Sequence, residues 1–197
     1  MTTITTTWDV LDEAHHALRT AVAGTAESGW ALRTPCEQWN VTQVLQHAVG
    51  DQLAYAASIT GGPGPTENPF APSGVRPDHP QDFVQTALRT CAEAWATVAQ
   101  DAQSVPTPLP QGALSPTLAA GAAALDAAVH AWDIAVATGQ PSPLGLDLAQ
   151  RLMPVALEIV EPLRAYGAYA AALEAEPGAD AASGLLRYLG RRPEWTP

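Results

Sequence analysis

Positive charge, cysteine and long apolar runs are scarce in this chain, and each scarcity removes a class of function. Nine basic residues stand against twenty acidic ones, a formal net charge of −11. That field repels a phosphate backbone unless a basic patch offsets it, and the densest basic cluster is only the pair Arg191–Arg192. Nucleic acid is not an expected partner. No apolar stretch reaches membrane-spanning length without Gly, Pro or charge, so no membrane partner is expected either. The opening MTTITTTWDVLDEAHH lacks the basic and apolar regions of a signal peptide. Cys36 and Cys91 stand alone with no CxxC pattern, and both read as reduced thiols serving as small buried hydrophobes. These features predict an acidic, soluble, cytoplasmic protein, its 197 residues forming one helical domain over 1–197 with room for a real core.

Strand alternation is nearly absent, while helical periodicity recurs, so the fold class is all-α. A first helix is predicted from Trp8 to about Glu27. A second starts at Asn40, a good N-cap with Gln43 three residues on in a capping-box pattern, and ends near TGGPGP. Gly61 to about Pro80 is a long loop, either a lid or a disordered segment. A third helix spans roughly Gln81–Gln100, a Pro-rich crossover follows, and a fourth covers about Pro116–Thr138 with Leu125, Val129, Trp132 and Val136 as its apolar stripe. A fifth runs from Asp147 to about Leu173, with Pro154 and Pro162 expected to bend or split it. A short helix in ASGLLRYLG closes the chain. Four main helices with long connections and extra C-terminal elements describe a bundle.

The stretch GAAALDAAVHAWDIAVATG, Gly121 to Gly139, carries the chemistry. Asp126 and His130 are spaced i,i+4 and share one face of an otherwise apolar helix. His47 projects close to the inward stripe of the second helix. Two imidazoles and a carboxylate from facing helices, with an open position, suit Zn²⁺ first and Ni²⁺ or Fe²⁺ as alternatives. A buried hydrogen-bond network is the structural alternative. Asp133, three residues past His130, is either an orienting partner of that ring or a purely structural cap. His15 and His16 read as surface or boundary residues and His79 as solvated in its loop. Asp51 reads as a surface carboxylate, and Trp39 and Trp132 as core. Cys36 has no basic neighbour in the sequence that would activate it. Arg33 and Arg76 are candidates to meet an anionic substrate.

Three segments, TPCEQWNVTQVLQHAVG (Thr34–Gly50), LDAAVHAWDIAVATGQ (Leu125–Gln140) and LLRYLGRRPEWTP at the end, together resemble an actinobacterial branch of the DinB-like superfamily. That branch is related to the metal-binding domain of mycothiol-dependent maleylpyruvate isomerase. The resemblance covers essentially the whole chain. It implies a four-helix bundle holding one divalent metal, with ligands that map onto His47, Asp126 and His130. Some relatives have Glu and wider DinB proteins a His where this chain has Asp126, one methylene shorter than Glu. Many have Gly where this chain has Ala131. Enzymes of the superfamily commonly employ a low-molecular-weight thiol, so the resemblance implies a mycothiol-type S-transferase or isomerase acting on a small molecule. Metal ligation makes physical sense of that, because a free thiol near pKa 8.5 is mostly protonated at neutral pH and coordination deprotonates it. A non-catalytic metal or small-molecule binding module and a metal-dependent hydrolase are the alternatives. The resemblance also allows a homodimer, although the Ala-rich faces read equally as internal packing.

Overall fold

The computed structural model describes residues 8–99 and 101–197. Its helices are α1 (Asp9–Ala23), α2 (Val41–Thr60), α3 (Pro80–Ala96), α4 (Pro116–Ala137), α5 (Leu146–Arg164) and α6 (Ala181–Tyr188), with a short 3-10 turn at Glu27–Gly29. Among the described residues there is no strand, only two isolated bridges, Arg33–Asn40 and Val105–Leu114. The all-α expectation holds. Helices α1 to α4 pack as the bundle, with α4 against both α1 and α2, while α5 lies on α4 and α6 on α5.

α4 differs from a surface helix with one apolar stripe. Buried residues run right around it, from Ala119 through Ala137, because α1, α2 and α5 cover it from different sides. Its many alanines let those neighbours approach closely. A polar side chain on α4 is therefore forced into the interior, which is why Asp126, His130 and Asp133 need partners there.

Helix boundaries follow local chemistry. Asn40 caps α2 with both bonds of the capping box, Asn40 Oδ1 accepting from Gln43 N at 3.0 Å and Gln43 Oε1 from Asn40 N at 3.1 Å. α1 stops at Ala23, short of Glu27, because the chain turns at Gly24 and re-forms as the 3-10 turn. α3 ends at Ala96, with Thr97 as its C-cap; the predicted terminus Gln100 lies outside the described residues. α5 keeps Pro154 and Pro162 inside one helix instead of splitting, but ends at Arg164, well before Leu173. Among the described residues no helix is long and apolar enough to cross a membrane.

The connection between α2 and α3 is a packed strap. Gln46 holds it twice, donating to Ser73 Oγ at 2.9 Å and Val75 O at 3.0 Å, and accepts from Gly74 N at 2.8 Å. Gly50 on α2 permits the closest approach, since a Cβ there would stand 2.7 Å from Pro69 Cγ.

Candidate metal centre

His47 on α2 and the pair Asp126 and His130 on α4 meet inside the bundle. Asp126 Oδ1 lies 3.3 Å from His47 Nε2 and 3.3 Å from His130 Nε2. The imidazole rings are 4.8 Å apart, edge to face at 80°. Each of the three residues offers a ligand atom within 4.8 Å of the others. The separate segments named from sequence thus converge.

What lies behind each ring decides where its lone pair points. His47 Nδ1 is 2.9 Å from the carbonyl oxygen of Pro69. A carbonyl only accepts, so Nδ1 carries the proton and the Nε2 lone pair is left for the centre. His130 Nδ1 is 2.9 Å from Asp133 Oδ2, which fixes the same tautomer. Asp126 Oδ2 is buried with no hydrogen-bond partner among the described residues. Two Nε2 atoms directed at a shared carboxylate, beside an orphaned carboxylate oxygen, form a donor set that suits a divalent cation.

The electrostatics show how charge is stored. Burial works against ionisation of Asp126, yet His130, with His47 assisting, holds it below the usual carboxylate range. Burial likewise opposes a charged His130, but Asp126 and then Asp133 raise it well above the ordinary imidazole value, so without an ion Nε2 also carries a proton, which it donates to Asp126 and which a bound cation would displace. Asp133 is fully buried, and against that desolvation Arg191 and His130 bring it down to about 2. Asp51 is pushed up by burial and by the negative charge of Asp126.

Several residues stand differently from expectation. Asp51 is half-buried, not a surface carboxylate, because α2 turns it inward one turn after His47. His15 is buried and bonded to Gln52 at 2.9 Å, not at the surface, since it lies on the face of α1 that packs into the bundle. His16 and His79 are exposed as expected. Trp132 is core, but Trp39 is only half-buried and its ring lies 4.7 Å from that of His47. Arg76 is engaged by Glu27, and Arg33 is exposed.

Cys91 is buried as expected, and burial pushes its thiol up to about 12. Cys36 departs from expectation: it is half-buried and has a basic neighbour. Arg191 NH2 is 3.3 Å from its sulfur, and the thiol reaches Asp133 Oδ2 at 3.5 Å. Pro69, Phe70 and Arg191 are the participants that sequence reasoning missed. Phe70, 66% exposed, sets its ring 5.5 Å from His47 at the mouth of the centre. A cleft of about 360 Å³ lies between α2 and the strap, with Gly50 and Pro69 in its lining and none of the three candidate ligands.

A helical bundle with a His–carboxylate–His cluster between α2 and α4 defines the class. A family model described as the mycothiol maleylpyruvate isomerase N-terminal domain matches residues 11–135, and the chain belongs to that family. Among solved structures, crystal structures of the mycothiol-dependent maleylpyruvate isomerase share the fold. A histidine-to-alanine mutant of it aligns with a TM-score of 0.58 at 13% identity, covering 75% of this chain and 65% of that one. The unmutated enzyme aligns with a TM-score of 0.54 at 16% identity, covering 72% and 65%. Uncharacterized proteins from two strains of Mycobacterium tuberculosis, CDC 1551 / Oshkosh and H37Rv, are each 33% identical over 132 residues, 66% of this chain. The match spans 65% of the length of those relatives.

Proposed function

We propose that this chain binds one divalent metal ion through His47, Asp126 and His130 and serves a thiol-dependent transfer or isomerisation with a mycothiol-type thiol. The observation that carries the metal assignment is the convergence of two Nε2 atoms on Asp126 Oδ1 while Asp126 Oδ2 stays buried with no hydrogen-bond partner among the described residues. Imidazole and carboxylate donors with room for a further ligand favour Zn²⁺, with Ni²⁺ or Fe²⁺ next. Such an ion supplies Lewis acidity, which lowers the pKa of a thiol presented to it. The chain's own contribution is orientation. Pro69 O and Asp133 hold the two Nδ1 protons away from the centre, and Trp39 and Phe70 flank His47 with apolar surface for an acceptor.

Family membership supports the thiol, since the solved relatives are named for dependence on mycothiol. The direct test is elemental analysis of wild type beside His130→Ala and Asp126→Ala, followed by a thiol-dependent assay with electrophilic acceptors. One ion per chain in wild type and substantial loss in both variants are expected. Full stoichiometry in both variants overturns the ligand assignment. A second reading has an observation of its own: contacts run without a break from Arg191 through Asp133, His130 and Asp126 to His47, as a self-contained network would. Metal-free wild type whose melting ignores chelator would establish that reading instead.

A further inference from the structure

Arg191 comes from the end of the chain, outside the residues matched by the family model, yet its side chain reaches the back of the centre. It is 9% exposed, and the Asp133 side chain it meets is completely buried. The contact is a fork: Nε donates to Asp133 Oδ1 at 3.0 Å, and NH2 donates to Oδ2 at 2.8 Å. Oδ2 is the same oxygen that accepts from His130 Nδ1. The turn after α6 delivers the guanidinium there. Gly190 sits at φ 79° where a Cβ would stand 2.8 Å from Ala170 Cβ and 2.8 Å from Ala171 O, and Arg191 N then bonds Leu186 O at 2.8 Å.

A buried ion pair contributes little net stability, because desolvation consumes most of the Coulomb gain and apolar residues of like volume often serve as well. Its use here is directional. A carboxylate gripped on both oxygens by a planar fork cannot rotate, so its free lone pair on Oδ2 stays aimed at His130 Nδ1. Cys36 Sγ closes the remaining side of NH2, and Leu189 O takes NH1 at 3.4 Å, so the fork itself is held.

We propose that Arg191 is a positioning residue of the metal centre, acting through Asp133 to fix the ring orientation of His130, which makes the C-terminal segment a working part of the site. The proposal rests on the metal-binding reading above. Partners that orient a ligating histidine typically contribute about 10–100-fold in metal affinity.

The test is Zn²⁺ affinity by chelator competition, with the Co²⁺ absorption spectrum as a report on ligand geometry. The proteins are wild type, Arg191→Gln, Arg191→Lys, Asp133→Asn and the double variant Arg191→Gln/Asp133→Asn. Arg191→Gln is expected to weaken Zn²⁺ binding about 10–100-fold and to shift the Co²⁺ bands. Arg191→Lys, which keeps the charge but not the fork, should recover only part of the loss. Because Arg191 acts through Asp133, the double variant should bind no more weakly than Asp133→Asn alone. The double variant also leaves no lone buried charge, so it carries the comparison if Arg191→Gln does not fold. Wild-type affinity and an unchanged Co²⁺ spectrum in the Arg191 and double variants overturn the proposal while the metal site stands. Wild type that binds no ion overturns the metal reading itself.

Discussion

His15 and His130 are both buried histidines in the middle of bundle helices, and their surroundings treat them in opposite ways. His15 faces a neutral amide: its Nε2 donates to Gln52 Oε1 at 2.9 Å, Gln52 Nε2 donates on to Ala123 O at 3.0 Å, and the Cys91 thiol reaches Oε1 at 3.4 Å. With no carboxylate bonded to it, burial wins and lowers its pKa to about 4. His130 has a carboxylate at each ring nitrogen, and its pKa rises although it too is buried. Burial alone therefore does not mark a site. The partner set does: an amide closes a structural node, whereas converging charged and lone-pair groups leave one open for a ligand.

The largest effect that can break this contrast is on metal content. Replacing His130 or Asp126 by Ala should remove the ion, a loss beyond the roughly 100-fold ceiling of outer partners. His15→Ala should leave stoichiometry at the wild-type value while lowering the melting temperature, because Gln52 Oε1 loses its ring partner. Metal loss in His15→Ala equal to that in His130→Ala would erase the distinction between the two nodes.

Next is the acid dependence of stability. The folded pKa of His15, about 4, lies below its unfolded value of 6.5. Between those values the unfolded chain binds the extra proton, so stability rises with pH across the window. The contribution is complete above pH 6.5 and is lost as pH falls towards 4. Its size is about 3 kcal/mol, from roughly 1.4 kcal/mol per pKa unit. Urea unfolding of wild type and His15→Gln at pH 7, 5.5 and 4.5 checks this, with the variant showing the flatter profile. Parallel profiles would mean that folding does not lower the His15 pKa.

Much of this was legible beforehand, and the reasons for the rest are physical. The i,i+4 spacing of Asp126 and His130 put two donors on one helical face, and the inward stripe of α2 carried His47 towards them. The Asn40–Gln43 box marked a helix start because capping is local chemistry. Arg191 was invisible as a partner: its contact with Asp133 spans 58 residues and depends on the turn at Gly190. Pro69 was invisible for another reason, since it acts through a main-chain carbonyl that any residue possesses. The surface reading of His15 fails because it lies four residues after Leu11 and three before Leu18, on the buried face of α1, a spacing that adjacency to His16 obscures. α5 runs on through Pro154 and Pro162, where a bend or split was expected, because packing on α4 and α6 sustains a helix that local propensity disfavours.

The smallest expected effect tests the strap from behind the other imidazole. In Gly50→Ala the new Cβ would stand 2.7 Å from Cγ and 3.0 Å from Cβ of Pro69. A proline ring cannot swing aside, so the strap must shift by some tenths of an ångström. Overpacking of this kind costs typically about 1–3 kcal/mol. The shift acts on the carbonyl that accepts the His47 Nδ1 proton, so Zn²⁺ affinity should fall as well, by less than the roughly 10–100-fold ascribed to a full outer partner. Asn40→Ala is the matched control: losing the cap costs about 1 kcal/mol at the N-terminus of the same helix, away from Pro69 and His47. Chelator competition on both variants separates the cases. A fall in affinity with Gly50→Ala alone assigns the strap to the centre through Pro69. Equal affinities in the two variants would reduce the strap to packing and leave the His47 ring oriented by Trp39 and α2.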